Sequence, residues 1–232
     1  MVKKVSLQST PLDRRIFLGF VLIASAVASC TRKTSEDAKA STQARVVSLS
    51  PSTTETMFAI GAGSTLVGRS RFCDTPPEVK SLPAVGGYTD PNFEAILGLR
   101  PTLVIGARGP AGPRLDERLR EHGIKTFFPE TESVEQIEAM IFALGRETGR
   151  ENEAGAVAAR THARIEAITK AVSGAPRPRV LLLFDVEPIV AAGLKSFPDD
   201  LLARAGGINV VTEGGAYPVL SLERVLALDP DV

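Results

Sequence analysis

The sequence predicts an α/β protein of two similar lobes, each built on a parallel sheet and joined to the other by one long helix. Three observations predict this fold class. Short β-branched segments alternate with amphipathic segments along most of the chain, which is typical of parallel sheets. Residues 86–103 return in similar form as residues 215–232. A charged, alanine-rich stretch without any strand pattern separates the two halves.

The repeated segment indicates that the lobes are two copies of one unit. GGYTDPNFEAILGLRPTL in the first copy aligns with GAYPVLSLERVLALDPDV in the second. The period of 129 residues is the size of a domain rather than of a solenoid repeat, so we expect a ligand cleft between the copies. The six identical pairs are Gly86/Gly215, Tyr88/Tyr217, Glu94/Glu223, Leu97/Leu226, Leu99/Leu228 and Pro101/Pro230.

Residues 1–30 have the pattern of an export signal, with a basic start and an apolar run before Cys30. The run of 13 residues is too short for a membrane-spanning helix, which needs about 20. DRRIFL resembles a twin-arginine signal, although Asp13 stands where Ser or Thr is usual. VASC resembles a bacterial lipobox, which predicts that Cys30 is lipidated and anchors the protein to the membrane on its outer side. The alternative to a lipobox is a plain secretory signal with an incidental Cys30. Residues 31–44 are predicted to be a polar tether.

Composition and charge exclude some classes of protein. The chain has 232 residues, 44% of them hydrophobic and 23% charged, which is sufficient for a core in each of two small domains. Its formal net charge is zero, which argues against a nucleic-acid-binding surface. If Cys30 carries lipid, Cys73 has no disulfide partner, and we expect it to be a small, semi-buried hydrophobe rather than a nucleophile.

The first lobe is predicted over residues 45–150. A capping box at Ser52 starts a helix that ends near Gly61, and Asn92 and Ser133 are expected to cap two later helices. A further helix is expected to precede the last strand. The predicted strands are 45–49, 66–68, 102–105 and 125–128, and the helices are 52–60, 93–99, 114–122 and 133–147.

The second half begins with the predicted inter-lobe helix, residues 151–174. Its expected apolar face consists of Val157, Thr161, Ile165, Ile168 and Val172 at helical spacing. The second lobe, residues 175–232, is predicted to contain a strand at 180–184 and a helix at 198–205. The chain stops where the first copy continues with a strand, so we expect this lobe to be incomplete.

Three segments resemble the substrate-binding proteins of ABC importers for cobalamin, haem and ferric siderophores, and most of all the cobalamin-binding branch. They are RVVSLSPSTTETMFAIGAGSTLVG, CDTPPEVKSLPAVGGYTDPNFEAILGLRPTLVIG and PVLSLERVLALDPDV. The resemblance implies two Rossmann-like lobes, a rigid connecting helix and a metal chelate held between the lobes. It also implies an ABC permease in the cytoplasmic membrane as partner, and we expect a monomer.

The resemblance also implies a set of ligand-binding residues. The aromatic positions of the cobalamin binders hold Phe72, Tyr88, Phe184 and Tyr217 here, and stacked rings suit a flat macrocycle. The familiar cobalamin binder has Trp at the positions of Tyr88 and Tyr217, whereas this chain has no Trp. Core packing is the alternative for each ring, above all for Phe184. Arg108 is predicted to contact a ligand amide or carboxylate, with solvated surface as the alternative.

Glu94 and Glu223 match the glutamates with which this family docks arginines of its permease. The alternative is that each carboxylate only offsets a helix dipole, because each lies two residues after an N-cap residue. Their equivalent positions in the two copies favour docking.

Two other functions are weighed against corrinoid binding. An exported Rossmann-like enzyme finds little support, because GAG at 61–63 follows a helix and His122 and His162 are poorly placed for a triad or a metal site. We therefore expect no catalytic residues, cofactor or bound metal. A haem or siderophore binder is the nearer alternative, with Tyr88 as an axial ligand. The haem branch places its tyrosine one residue further from the glutamate, which favours a corrinoid.

Overall fold

A four-stranded parallel sheet forms the centre of the first lobe in the computed structural model, which describes residues 44–87, 89–108 and 112–232. The export signal, Cys30 and Tyr88 lie outside the described residues. The strand order is β2-β1-β3-β4, and all four strands lie where the sequence predicted them. Their bounds are Val46–Ser48 (β1), Leu66–Arg69 (β2), Leu103–Ile105 (β3) and Lys125–Phe127 (β4).

Helices cover both faces of this sheet, because neighbouring residues of a strand point to opposite sides. Val46 belongs to a buried cluster with Met57 of the first helix. Val47 belongs to a second cluster with Ile96 of the next helix. The first lobe is therefore a three-layer α/β structure. Its helices are Pro51–Ala59 (α1), Phe93–Gly98 (α2), Gly112–Glu121 (α3) and Val134–Thr148 (α4).

Side-chain caps set the starts of three of these helices. Asn92 accepts a bond of 3.0 Å from the Ala95 amide, and Ser133 caps α4 in the same way, as predicted. The capping box predicted at Ser52 is wrong, because the cap is Ser50. Pro51 takes the first helical position, where a missing N–H leaves no helical hydrogen bond unmade. The helix therefore begins closer to the N-terminus than predicted.

One helix of 21 residues, Glu151–Ala171 (α5), follows the first lobe, as predicted. At 1.5 Å per residue it is about 30 Å long. Its most buried residues are Ala154 and Ala158, which the predicted apolar face omitted, whereas Ile168 of that face is 53% exposed. A Cβ on Gly145 of α4 would lie 2.5 Å from the Cβ of Ala154, so the two helices approach closely because both residues are small. None of the helices described here has the length and hydrophobicity needed to cross a membrane.

The second lobe combines a parallel strand pair with an antiparallel sheet. The single strand predicted at 180–184 is split between these two sheets, and a hairpin follows that was not predicted. The parallel pair is Arg179–Val180 (β5) with Ile208–Asn209 (β8). The antiparallel sheet has the order Leu183–Val186 (β6), Ile189–Ala191 (β7), Val219–Leu220 (β9). The helices are Phe197–Arg204 (α6) and Leu222–Leu228 (α7).

The internal repeat extends to the first strand of each lobe. The guanidinium of Arg45, before β1, donates to the carbonyl of Leu99 at 2.7 Å. Arg179, in β5, donates to the carbonyl of Leu228 at 2.6 Å, and Leu99 and Leu228 are equivalent in the repeat. The residue after each leucine has a positive φ, 47° in the first copy and 44° in the second. An arginine at the first strand of each lobe therefore bonds the end of the equivalent helix.

A histidine of α5 bonds a glutamate of α4, and this contact between the two helices depends on pH. His162 lies 3.0 Å from the carboxylate of Glu138 and 3.3 Å from that of Glu166. The hydrogen bond to Glu138, followed by the charges of both glutamates, raises the pKa of His162 above its ordinary 6.5. A raised folded-state pKa contributes stability that is fully present below about pH 6.5 and is lost as the pH rises through the folded pKa.

We therefore expect His162→Ala to lower the melting temperature at pH 5.5 but not at pH 8.5. The decrease should be no more than about 2 °C, because the pair is exposed to solvent. Thermal unfolding of both proteins at the two pH values measures it. An equal decrease at both values would show that the contact does not depend on the charge of the imidazole.

Candidate functional site

Two exposed aromatic rings from the second lobe lie together. The rings of Phe184 and Tyr217 are 5.6 Å apart and meet edge to face at 63°, a favourable geometry for an aromatic pair. Phe184 is 54% exposed and Tyr217 is 46% exposed. Both rings therefore have exposed surface in this chain, and their contact with a ligand stays a prediction, as does the alternative of core packing for Phe184.

The antiparallel sheet positions both rings. Phe184 lies at an irregularity in the pairing of β6 with β7, and bulges of this kind redirect a side chain. Backbone bonds hold the chain on both sides of Tyr217, from the Gly193 amide to the Ala216 carbonyl at 2.9 Å and from the Ala191 amide to the Pro218 carbonyl at 3.1 Å. This sheet therefore provides a rigid support for the aromatic pair.

Phe72 lies in the first lobe, just after β2. Its ring is 57% exposed, and its amide donates to the hydroxyl of Ser70 at 3.1 Å. A Cβ on Gly87 would lie 3.0 Å from the ring, so Phe72 packs beside the residue that precedes Tyr88. Arg71 lies 5.6 Å from the ring centroid and pairs with Asp90 of the same loop. The structure thus places Phe72 against the loop that contains Gly87, the residue before Tyr88.

Arg108 follows β3 and forms an ion pair with Glu130. It borders a cavity of about 440 Å³. The cavity is also lined by Asp116, Arg120, Phe127 and Phe128. Arg108 is therefore a paired surface residue at the carboxyl end of the first sheet, and its contact with a ligand stays a prediction.

Glu132, which the sequence analysis did not identify, connects Tyr217 to the first lobe. Its Oε2 atom accepts a bond of 2.6 Å from the Tyr217 hydroxyl and a bond of 3.0 Å from the Phe197 amide. Glu132 precedes α4, and both donors belong to the second lobe. The residues in contact are 85 and 65 positions apart, so no local sequence pattern could have indicated them.

Glu94 and Glu223 occupy the first turns of α2 and α7, and both are exposed. A hydrogen bond from its own backbone amide, followed by one from the Ser221 side chain, lowers the pKa of Glu223. Glu223 is therefore ionised at neutral pH and available to a cationic partner. The two helices are equivalent in the repeat, so each lobe presents one of these carboxylates.

Cys73 is fully buried, and its sulfur lies 3.1 Å from the hydroxyl of Thr54. It is a free thiol, as expected, but it is buried more completely than the semi-buried position predicted from the sequence. Within residues 44–87, 89–108 and 112–232, no group of three or more His, Cys, Asp or Glu side chains is placed to hold a metal ion.

Comparison with known proteins agrees with this architecture. The vitamin B12-binding protein of Salmonella typhimurium is 33% identical over 187 residues, which cover 80% of this chain and 70% of the relative. The periplasmic vitamin B12-binding protein of Vibrio cholerae has a solved structure with a TM-score of 0.74 and 28% identity, covering 82% of this chain and 75% of that one. The periplasmic haem-binding protein of Roseiflexus sp. RS-1 gives a TM-score of 0.72 and 32% identity, with the same coverage.

The match to a family extends over most of the chain. Residues 46–232 fit the family described as periplasmic binding protein, and this range contains both lobes and the connecting helix. The fold, the internal repeat and the relatives agree with one another, and this chain belongs to the periplasmic binding protein family.

Proposed function

We propose that this protein is the extracytoplasmic substrate-binding protein of an ABC importer and that it captures a corrinoid such as cobalamin. The observation that carries the proposal is the exposed edge-to-face pair of Phe184 and Tyr217 on a rigid sheet. Exposed aromatic rings contribute large apolar area at a small entropic cost, which suits a broad macrocycle. Relatives with 28 to 33% identity that bind vitamin B12 support the choice of ligand.

Haem is the second candidate, because a solved haem-binding protein is 32% identical to this chain. Tyrosine ligates haem iron as the phenolate. The predicted axial ligand is Tyr88, whereas Tyr217 donates a hydrogen bond of 2.6 Å to Glu132. Curated relatives named as vitamin B12-binding proteins, with up to 33% identity, favour a corrinoid.

The proposed delivery step uses Glu94 and Glu223. Exposed carboxylates on equivalent helices of the two lobes suit a permease of two similar halves that each carry an arginine. Lipidated Cys30 would keep a monomeric protein at the membrane, close to this permease. In this role the protein binds and releases its ligand unchanged, so we propose that it is not an enzyme and needs no cofactor.

Spectral titration tests the proposed ligand directly. Cobalamin, haemin and ferric siderophores each absorb visible light, so each chromophore reports its own binding. We expect the cobalamin spectrum to change and saturate at one molecule per protein chain. Saturation with haemin but not with cobalamin would replace the proposed corrinoid with haem, and no change with any chelate would refute the proposed function.

A further inference from the structure

A carboxylate from each lobe accepts a hydrogen bond from the first amide of a helix in the other lobe. Asp200 of α6 accepts a bond of 2.8 Å from the Val134 amide, which is the first amide of α4. Glu132, just before α4, accepts a bond of 3.0 Å from the Phe197 amide, which is the first amide of α6. Helix amides at these positions have no partner within their own helix. Each lobe therefore provides the anion that satisfies a helix start of the other lobe.

Glu132 makes one further bond that Asp200 does not make. The same Oε2 atom that accepts from Phe197 also accepts from the hydroxyl of Tyr217. The Glu132 amide in turn donates to the side chain of Gln136 at 2.7 Å, so the glutamate is held from its own helix as well. The orientation of the Tyr217 ring is thus tied to the contact between the lobes.

We propose that Glu132 is a positioning residue for the ligand-binding ring of Tyr217, an inference that rests on the proposed function of that ring. The phenol is fixed by a first-lobe carboxylate, while its backbone is fixed by β7 of the second lobe. The docking of the lobes through Glu132 therefore helps to hold the Tyr217 ring in its binding geometry. A ring held before the ligand arrives loses less freedom on binding, and this raises affinity.

Affinity for cyanocobalamin tests the coupling through a double-mutant cycle. Glu132→Ala and Tyr217→Phe each remove the bond, so each should weaken binding by roughly 5- to 20-fold, and the double variant should be no weaker than either single variant. Glu132→Gln should bind within about 2-fold of the unchanged protein, because its amide oxygen accepts from both donors. Independent effects that multiply in the double variant would overturn the inference.

A matched control separates this role from general loosening of the interface. Glu135 is three residues further along and connects the lobes through a different contact, a 2.5 Å ion pair with Arg204 of the second lobe. Glu135→Ala should therefore leave the affinity within about 2-fold, since an exposed ion pair contributes little. An effect as large as that of Glu132→Ala would assign the loss to the interface and overturn the role in positioning.

Tyrosine emission tests the contact without any ligand. The chain has two tyrosines and no tryptophan, so all tyrosine fluorescence of a Tyr88→Phe variant comes from Tyr217. A phenol bonded to a carboxylate emits weakly, because the excited phenol transfers its proton to the acceptor. Adding Glu132→Ala should increase the emission, and unchanged emission would overturn the inference. If the unchanged protein binds no cobalamin, the proposed function fails, while the emission still decides whether Glu132 holds the phenol.

Discussion

Replacing Phe184 with Ala should weaken the binding of cyanocobalamin by roughly 5- to 150-fold, the loss expected when about 1–3 kcal/mol of aromatic contact is removed. The ring is more than half exposed, so its removal leaves little cavity in the core, and the loss should appear in affinity rather than in stability. Titration calorimetry gives the affinity, and thermal unfolding of the same variant should give a nearly unchanged melting temperature.

Phe142 offers a matched control for this prediction. It is also an exposed phenylalanine, 44% accessible, but it lies on α4 of the first lobe. Phe142→Ala should leave the affinity unchanged. If Phe184→Ala binds as tightly as the unchanged protein, the aromatic pair does not contact the ligand and the proposed site is wrong.

Replacing both Glu94 and Glu223 with Ala should abolish uptake while ligand binding stays within about 2-fold. Charge pairs at a docking surface set the rate and orientation of association, so the loss of both carboxylates removes an anchor from each lobe. The carboxylates are exposed at helix starts, and neither contributes much to folding. Uptake of labelled cobalamin by cells that depend on this protein, together with affinity in solution, measures the two effects separately.

Glu151 provides the control for the helix-dipole alternative, because it is an exposed glutamate in the first turn of α5. Glu151→Ala removes the same kind of favourable charge and should leave uptake intact. If the double variant transports normally, Glu94 and Glu223 only stabilise their helices. If it loses affinity for cobalamin, these residues belong to the ligand site instead.

Local patterns predicted the first lobe well because its elements depend on neighbouring residues. The caps at Asn92 and Ser133 each bond an amide three residues away, so the sequence shows both partners. The cap of α1 was placed two residues late because several hydroxyl residues follow one another there. The position of Pro51 distinguishes among them, since proline fits the first helical turn.

The second lobe was harder to predict because its sheets depend on distant pairing. Among the residues that the structure describes, the first lobe has no counterpart of the β6-β7 hairpin, so the repeat gave no indication of it. Phe184 lies in the first strand of that hairpin, so its surroundings also depend on distant pairing. The role of Glu132 depends on partners 65 and 85 residues away, and such contacts become visible only in the folded chain.

We expect this protein to bind a corrinoid in preference to haem. Equilibrium dialysis of the protein against cyanocobalamin, with and without equimolar haemin, measures this preference. We predict that one cyanocobalamin is retained per chain and that haemin does not displace it. Retention of haemin in place of cyanocobalamin, or failure to retain cyanocobalamin at all, would contradict this expectation.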